Sequence, residues 1–386
     1  MATEGCSEEA QPPPLQWLEE GMRSNQRCVM QKAPLYLRRE FKEDSYKPNA
    51  VSIGPFFYGL EIVQDIEKSK FEIVYKFIEE SQIPISDFYT RVENLCTQAK
   101  LFYPENTRQL YTDKQFTQMF FLDTCFLVWV IHILSHEESI YPLSTMYLHM
   151  CVRDIFLMDN QIPFILVDEL INLRFRGEGR EMINKFLAMV IGASSSYVGH
   201  TDQLFDQSPR HLLELLRKKY IGISDFEEEI LNNDPHLFPS AKGLHNRGIK
   251  IERRGFFISH FGFDSDNGIL YMPPLCIDRF FKTTFLNMVA YEASLGDPGE
   301  LKVTTYLCLF KIFVMNSESV DVLQGSVIYG GEVNETIVEM FQDMCTNLHP
   351  NFQLYGRLLN KLYGFRTGFA PSIRFWTQKV RQIVPW

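Results

Sequence analysis

No two of the eight cysteines, at positions 6, 28, 96, 125, 151, 276, 308 and 345, stand close enough to make a CxxC pair. A zinc ribbon or a thioredoxin-like redox site therefore has no support. Phosphate cradles are missing too. Gly177-Glu178-Gly179 has no third glycine at the spacing a dinucleotide turn needs, and no GxxxxGK[ST] run exists. The cluster Gly192-Ala193-Ser194-Ser195-Ser196 does not make the GxSxG elbow of an α/β-hydrolase. Positive charge is in short supply: 38 Lys and Arg stand against 48 Asp and Glu, a net −10. That balance disfavours general nucleic-acid binding, because the phosphate backbone is attracted by net positive fields.

The opening stretch MATEGCSEEAQPPP has no apolar segment and is not a secretory signal. Its Met-Ala start removes N-myristoylation. A reducing, cytoplasmic setting is the expectation, in which the sequon Asn334-Glu335-Thr336 stays unglycosylated. The most apolar run, Met119 to Leu134, is shorter than the roughly 20 residues a bilayer requires, and Asp123 and His132 interrupt it. It reads as a buried helix.

What the chain does have is core. Of 386 residues, 45% are hydrophobic, with 32 Phe and 17 Tyr among them; this is a globular composition. Residues 1–20 read as a disordered acidic lead with little to bury. From Lys47 to Gly59 the chain reads as extended and turn-rich, because Pro48 and Pro55 each push the preceding residue out of the helical region. Helical spacing then dominates. In Glu61–Glu80 the residues Ile62, Ile66, Ile73, Val74, Phe77 and Ile78 recur at three- and four-residue intervals. Similar periods mark 87–101, 115–135, 145–175, 181–192 and 209–220. Between 248 and 278 the period falls to two around the turn DSDNG, which predicts a small antiparallel β element. Helical spacing returns at Arg279–Ala293, Val303–Met315 and Glu335–Cys345. The fold class is mainly α with a minor antiparallel β element, organised as a single large helical domain.

The stretch 350–386 has six basic residues and no acidic one. It reads as a basic amphipathic tail, capped by Ser372, with Ile373, Trp376, Val380, Ile383 and Val384 on one stripe. Such a helix docks on the acidic body or, through Arg374, Lys379 and Arg381, on an anionic membrane surface.

Few constellations carry chemistry. His132 and His136 stand one turn apart, but Ile133 occupies the place where a zincin has Glu. Asp264-Ser265-Asp266-Asn267-Gly268 starts like a calcium loop, yet its glycine comes one position early and its twelfth position is Leu275. No metal and no cofactor are expected. The run Arg153-Asp154-Ile-Phe-Leu-Met-Asp159-Asn160-Gln161-Ile-Pro163 is more specific. Its polar residues interrupt a core-like stretch around a proline read as breaking a helix. Asp159, Asn160 and Gln161 can satisfy backbone groups released at the break. The alternative makes Asp154 and Asp159 an acid/base pair in a helical pocket, with His132 a further candidate.

These segments also resemble a known family. VSIGPFFYG, IEKSK (with Glu67 and Lys70), MFFLDTCF (with Asp123), DIFLMDNQIPFILVDEL, HLLELLR, GLHNRGIKI, FLNMVAYEAS and VTTYLCLFKIFVMNSESVDVLQ stand in the order of the plant-specific domain of unknown function 247 family. The resemblance spans about residues 28–386. Its motif residues here are Glu67, Lys70, Asp123, Asp154, Asp159, Asn160, Gln161 and Pro163. Family members usually carry histidines where this chain has Phe57 and Tyr58, so chemistry using them is absent. They commonly carry Glu where Asp159 stands. They also typically finish with a transmembrane helix after a Pro-Trp pair, whereas this sequence stops at Pro385-Trp386. Either this is a soluble, truncated member or an anchor lies outside the given chain, which would place it at the plasma membrane. The family has no general established reaction. Some members are similar to recognition determinants of grass self-incompatibility, and others are linked to signalling. The resemblance implies an interaction protein with a protein partner; the competing reading is a lineage-specific enzyme of specialised metabolism.

Overall fold

A computed structural model describes residues 29–136, 143–193, 204–206, 208–222, 226 and 228–365. The lead at 1–20 and the tail residues Arg374, Lys379 and Arg381 lie outside the described residues. Fifteen helices and five short strands are present among them. The helices are α1 (Leu35–Phe41), α2 (Gln64–Ser81), α3 (Ile85–Lys100), α4 (Glu105–Arg108), α5 (Asp113–His136), α6 (Thr145–Ile155), α7 (Phe164–Phe175) and α8 (Gly179–Val190). Then come α9 (Leu212–Ile221), α10 (Ala241–Asn246), α11 (Phe281–Leu295), α12 (Lys302–Phe313), α13 (Ser317–Leu323), α14 (Asn334–Met344) and α15 (Gly356–Gly364). The fold is mainly helical, as the periodicity predicts.

Helix α5 is the axis of the first half. It packs against α2, α3, α7 and α8, and its middle is buried on all sides from Thr124 to Ile131. By length and composition it could cross a membrane, but 67% of its most apolar window is buried inside the protein. The second half gathers α9, α11 and α14 around α12, and α9 joins the halves by touching both α8 and α11. One continuous apolar core runs from Met30 to Leu362.

Prolines set several helix starts. Pro34, Pro84, Pro104 and Pro163 each sit immediately before a helix, with φ between −52° and −63° and extended ψ. This corrects one sequence expectation: Pro163 does not break a helix from within. The stretch 145–175 is two helices joined by a turn. At a helix start the missing proline N–H costs nothing, because that group has no intrahelical partner anyway. Ile62 is a second correction. It precedes α2 in a 3₁₀ turn, Glu61–Val63, and is 62% exposed, whereas Ile66, Ile73, Val74, Phe77 and Ile78 are buried.

The β element is mixed in direction. Strand β2 (Gly262–Asp264) and β3 (Ile269–Met272) form the antiparallel hairpin that the DSDNG turn predicts, but β1 (Lys250–Arg253) runs parallel to β3 on its other edge. The reason is the connection: a 3₁₀ turn at Ile258–His260 carries the chain across before β2 begins, so β1 and β2 cannot pair as a hairpin. A second pair, β4 (Leu275–Cys276) and β5 (Ile328–Tyr329), is also parallel.

The basic stretch does not begin as a tail. Leu354, Tyr355, Leu359 and Leu362 are buried, and Tyr355 Oη donates to Lys302 O at 3.2 Å. Burying an aliphatic or aromatic side chain contributes about 1.5–3 kcal/mol each. A chain ending at Pro350 is therefore expected to melt well below the full chain by circular dichroism. Unchanged melting would mean that 351–365 is peripheral.

Candidate functional site

An irregular segment before α2, with bends at Asn49, Ala50 and Gly54, lies against the helices without joining any sheet. Its successive N–H groups, from Asn49 to Gly54, are met by side chains. Asp154 Oδ2 accepts from Asn49, Ala50 and Val51 at 2.8, 2.7 and 3.1 Å. Glu67 Oε1 accepts from Ser52 at 3.2 Å, Asn160 Oδ1 from Ile53 at 2.7 Å, and Asp123 Oδ2 from Gly54 at 2.8 Å. Asn160 Nδ2 returns a bond to Val51 O at 3.0 Å, and Lys70 Nζ one to Ser52 O at 2.5 Å. A buried backbone donor left without a partner costs roughly 1–3 kcal/mol. Five residues in a row, Ala50 to Gly54, could not be buried without this set.

Lys70 is the centre of the charge in this lock. Its ammonium, wholly buried, lies 2.6 Å from Asp123 Oδ1 and 2.7 Å from Glu67 Oε1. Burial works against the Lys70 charge, yet Asp123 and Glu67 together outweigh it and hold the ammonium above its ordinary range. Burial also leads at Asp123, whose carboxyl is pushed up to about 6 against the pull of Lys70. Both groups are ionised at neutral pH. Burial raises the Asp154 carboxyl too, opposed first by Arg153, 2.6 Å away, and then by the Ala50 and Val51 N–H groups.

The turn between α6 and α7 is a junction for three elements. Asn160 Nδ2 also donates to Asp154 O at 2.9 Å. Gln161 Nε2 donates to Ile155 O and Leu157 O, at 2.6 and 2.8 Å, while its Oε1 accepts from Leu213 N at 3.2 Å in the first turn of α9. One amide thus repairs the end of α6 and the start of α9. Asp159, also fully buried, serves the N-terminal segment instead. It accepts from Ala33 N at 2.6 Å and pairs with Arg38 of α1. Gly54 fits against this junction because it is glycine: its φ is +78°, and a Cβ there would stand 2.7 Å from Gln161 O.

The structure thus brings together Glu67, Lys70, Asp123, Asp154, Asn160 and Gln161, with Asp159 and Pro163 on the same turn. His132 does not join them. It lies nine residues beyond Asp123 on α5, about 13 Å along the helix axis, with its ring on Phe175 and His136 at 4.7 and 4.8 Å. Sequence reasoning named Arg153 only as the start of its polar run, and gave Arg38, Arg217, Asn287 and Glu292 no role. Arg153 donates to Lys47 O and Asp44 O. Asn287 accepts from Met158 N at 2.8 Å and donates to Ser45 O at 2.9 Å. Glu292 pairs with Arg217 at 2.8 Å and accepts from Val303 N and Thr304 N, closing the first turn of α12. For Arg217, Asn287 and Glu292 the signal was present, since HLLELLR and FLNMVAYEAS place polar residues inside apolar helices.

No group of three or more His, Cys, Asp or Glu placed to hold a metal occurs among the described residues. A cavity of about 480 Å³ opens between α6, α8, α9 and α11. Its walls include Val152, Phe156, Val190, Leu216 and Phe285, and His149, Cys276, Asp278 and Arg279 stand among its polar lining. Neither Asp154 nor Asp159 lines it.

The order of these blocks is that of a family of plant proteins of unknown function, DUF247, which matches residues 30–383. The chain belongs to this family. Among curated proteins, this DUF247 chain is similar to UPF0481 protein At3g47200 of Arabidopsis thaliana, 25% identical over 316 residues, 72% of this chain and 64% of the relative. A second Arabidopsis thaliana UPF0481 protein, At3g02645, is 30% identical over 131 residues, 33% of this chain and 24% of the relative. The chain spans less than two thirds of either relative's length. No solved structure matches it.

Two outcomes follow from the lock and its junction. Lys70→Met strands the buried Asp123 carboxylate and takes a partner from the partly exposed Glu67, and urea titration is expected to show a loss of about 3–5 kcal/mol. Adding Asp123→Asn should recover part of it, because the amide oxygen still accepts from Gly54 without bringing a charge. A double variant less stable than the single one would contradict the assignment. His211, which caps α9 by accepting from Glu214 N at 3.1 Å, is held down to about 4 by burial. Its folded value lies below its unfolded one, so this contribution is complete above about pH 6.5 and is lost as pH falls towards 4. His211→Asn keeps a capping oxygen and does not titrate. Relative to the variant, the native protein should lose roughly 2 kcal/mol between pH 7 and pH 5; parallel pH profiles would refute this.

Proposed function

We propose that this chain works by binding another protein in plant recognition or signalling, in the cytoplasm or at the cytoplasmic face of a membrane, and does not turn over a substrate. The observation that carries this reading is the use already made of its candidate acids. Asp154 accepts three backbone N–H groups and an arginine, and Asp159 a backbone N–H and an arginine. A general acid or base must reach the proton it moves, and these carboxylates are turned into the fold. Exposed apolar side chains on the outside of the lock support the binding side of the proposal. Phe71 and Tyr75, one turn apart on α2, are 67% and 63% exposed, and aromatic residues of this kind anchor protein interfaces.

Asp159→Asn separates this from the acid/base alternative. Here the amide keeps one acceptor but turns a donor towards the Ala33 and Arg38 donors, so a stability loss of about 1–3 kcal/mol is expected. Native protein and variant would each be incubated with plant extract, and metabolites compared by mass spectrometry. No compound should be consumed by either. A metabolite consumed by the native protein, with turnover falling roughly 10²–10⁴-fold in the folded variant, would overturn the proposal in favour of the enzyme.

A further inference from the structure

We infer that the cavity between α6, α8, α9 and α11 is a binding site for an apolar monocarboxylic acid, with the carboxylate held at its mouth by Arg279. This goes beyond the protein-binding proposal and does not depend on it. The volume, about 480 Å³, falls in the range of roughly 300–1,000 Å³ that small-molecule sites occupy. The walls are hydrocarbon and aromatic, contributed by four helices that the surrounding core holds in place. An apolar body of drug-like size is what such walls reward.

The polar lining selects the headgroup. Two arginines line the cavity. Arg153 is committed, through Asp154, Lys47 O and Asp44 O. Arg279 is exposed and has no carboxylate partner among the described residues. Its guanidinium stands 3.3 Å from Met146 Sδ and 3.3 Å from His149 Nδ1, and lies over Phe280 at 4.8 Å. A thioether is a weak acceptor, whereas the guanidinium fork matches a carboxylate in a bidentate pair. The nearby negative charge sets the ligand's valence. Asp278 Oδ1 accepts from Phe280 N at 2.9 Å at the start of α11, and its carboxylate shares the cavity lining with Arg279. A dianion would be repelled there, and a neutral ligand would leave Arg279 with its weak partners. A single carboxylate on an apolar body satisfies both.

The test uses the full chain with dansyl-labelled undecanoic acid and its methyl ester, followed by fluorescence titration. The acid should bind the native protein about tenfold or more tightly than the ester, the worth of one charge-assisted contact. Arg279→Gln should erase that preference and leave ester binding within about twofold, while Arg279→Lys should keep part of it. Asp278→Asn should tighten the acid several-fold. Ile191→Trp, which places an indole at the cavity wall, should weaken both probes. Arg279 is exposed, so its variants are expected to fold, which melting curves verify. Equal affinity for acid and ester, an acid preference that survives Arg279→Gln, or no binding of either probe would each overturn the inference. Mass spectrometry of the recovered probe keeps the two proposals apart: an acid that binds as described but returns chemically altered defeats the non-catalytic reading and leaves the site standing.

Discussion

Everything around the first half of this protein depends on a buried segment that belongs to no sheet. Residues 49–54 form neither helix nor strand, and with Ala50 to Gly54 buried their N–H groups need partners from elsewhere in the fold. Here acidic and amide side chains from α2, α5, α6 and the turn after α6 do that work. Acidic groups suit it: a carboxylate oxygen accepts several N–H groups at once, as Asp154 does, and charge-assisted bonds are the strong ones. The cost is buried negative charge, offset by Lys70 and Arg153. The ion pairs and the irregular backbone are thus one construction.

The same logic recurs at the other polar positions of the core. Gln161, Asn287 and Glu292 each connect elements distant in sequence, and each ends or begins a helix in doing so. Packed apolar side chains alone tolerate small slips in register. A buried polar group with a fixed number of partners does not, since a slip leaves donors unpaired. The many phenylalanines supply cohesion, and these few polar residues specify which arrangement is adopted.

Much of this was legible in the sequence. The helices around Ile66–Ile78, Phe116–Ile133 and Val303–Phe313 follow from their spacing, and the hairpin of β2 and β3 follows from its turn. The importance of Asp154 through Pro163 was visible because polar residues there interrupt an apolar run. Their task was only half visible. Backbone repair reads from sequence when the repaired groups are neighbours, as with Gln161 and Ile155. That Asp154 serves residues 49–51, and Asp159 serves Ala33 and Arg38, involves separations of more than a hundred residues that no local period encodes. The parallel pairing of β1 with β3 escaped for a different reason, since alternating side chains mark a strand without fixing the direction in which it pairs. The cavity escaped too, since its walls come from helices that look like ordinary core.

The long reach of these bonds has a consequence during synthesis. Ile53 is 107 residues ahead of Asn160, and Ser45 is 242 residues ahead of Asn287. At about 5–20 residues per second, the segment emerges from the ribosome roughly 3–14 s before Asp123, and roughly 5–20 s before Asp154 and Asn160. Through that interval its amides can bond only to water, or to whatever holds nascent chains. The segment therefore waits for α5, α6 and the turn after α6 before it can be locked in place, and Ser45 waits longer still, for α11.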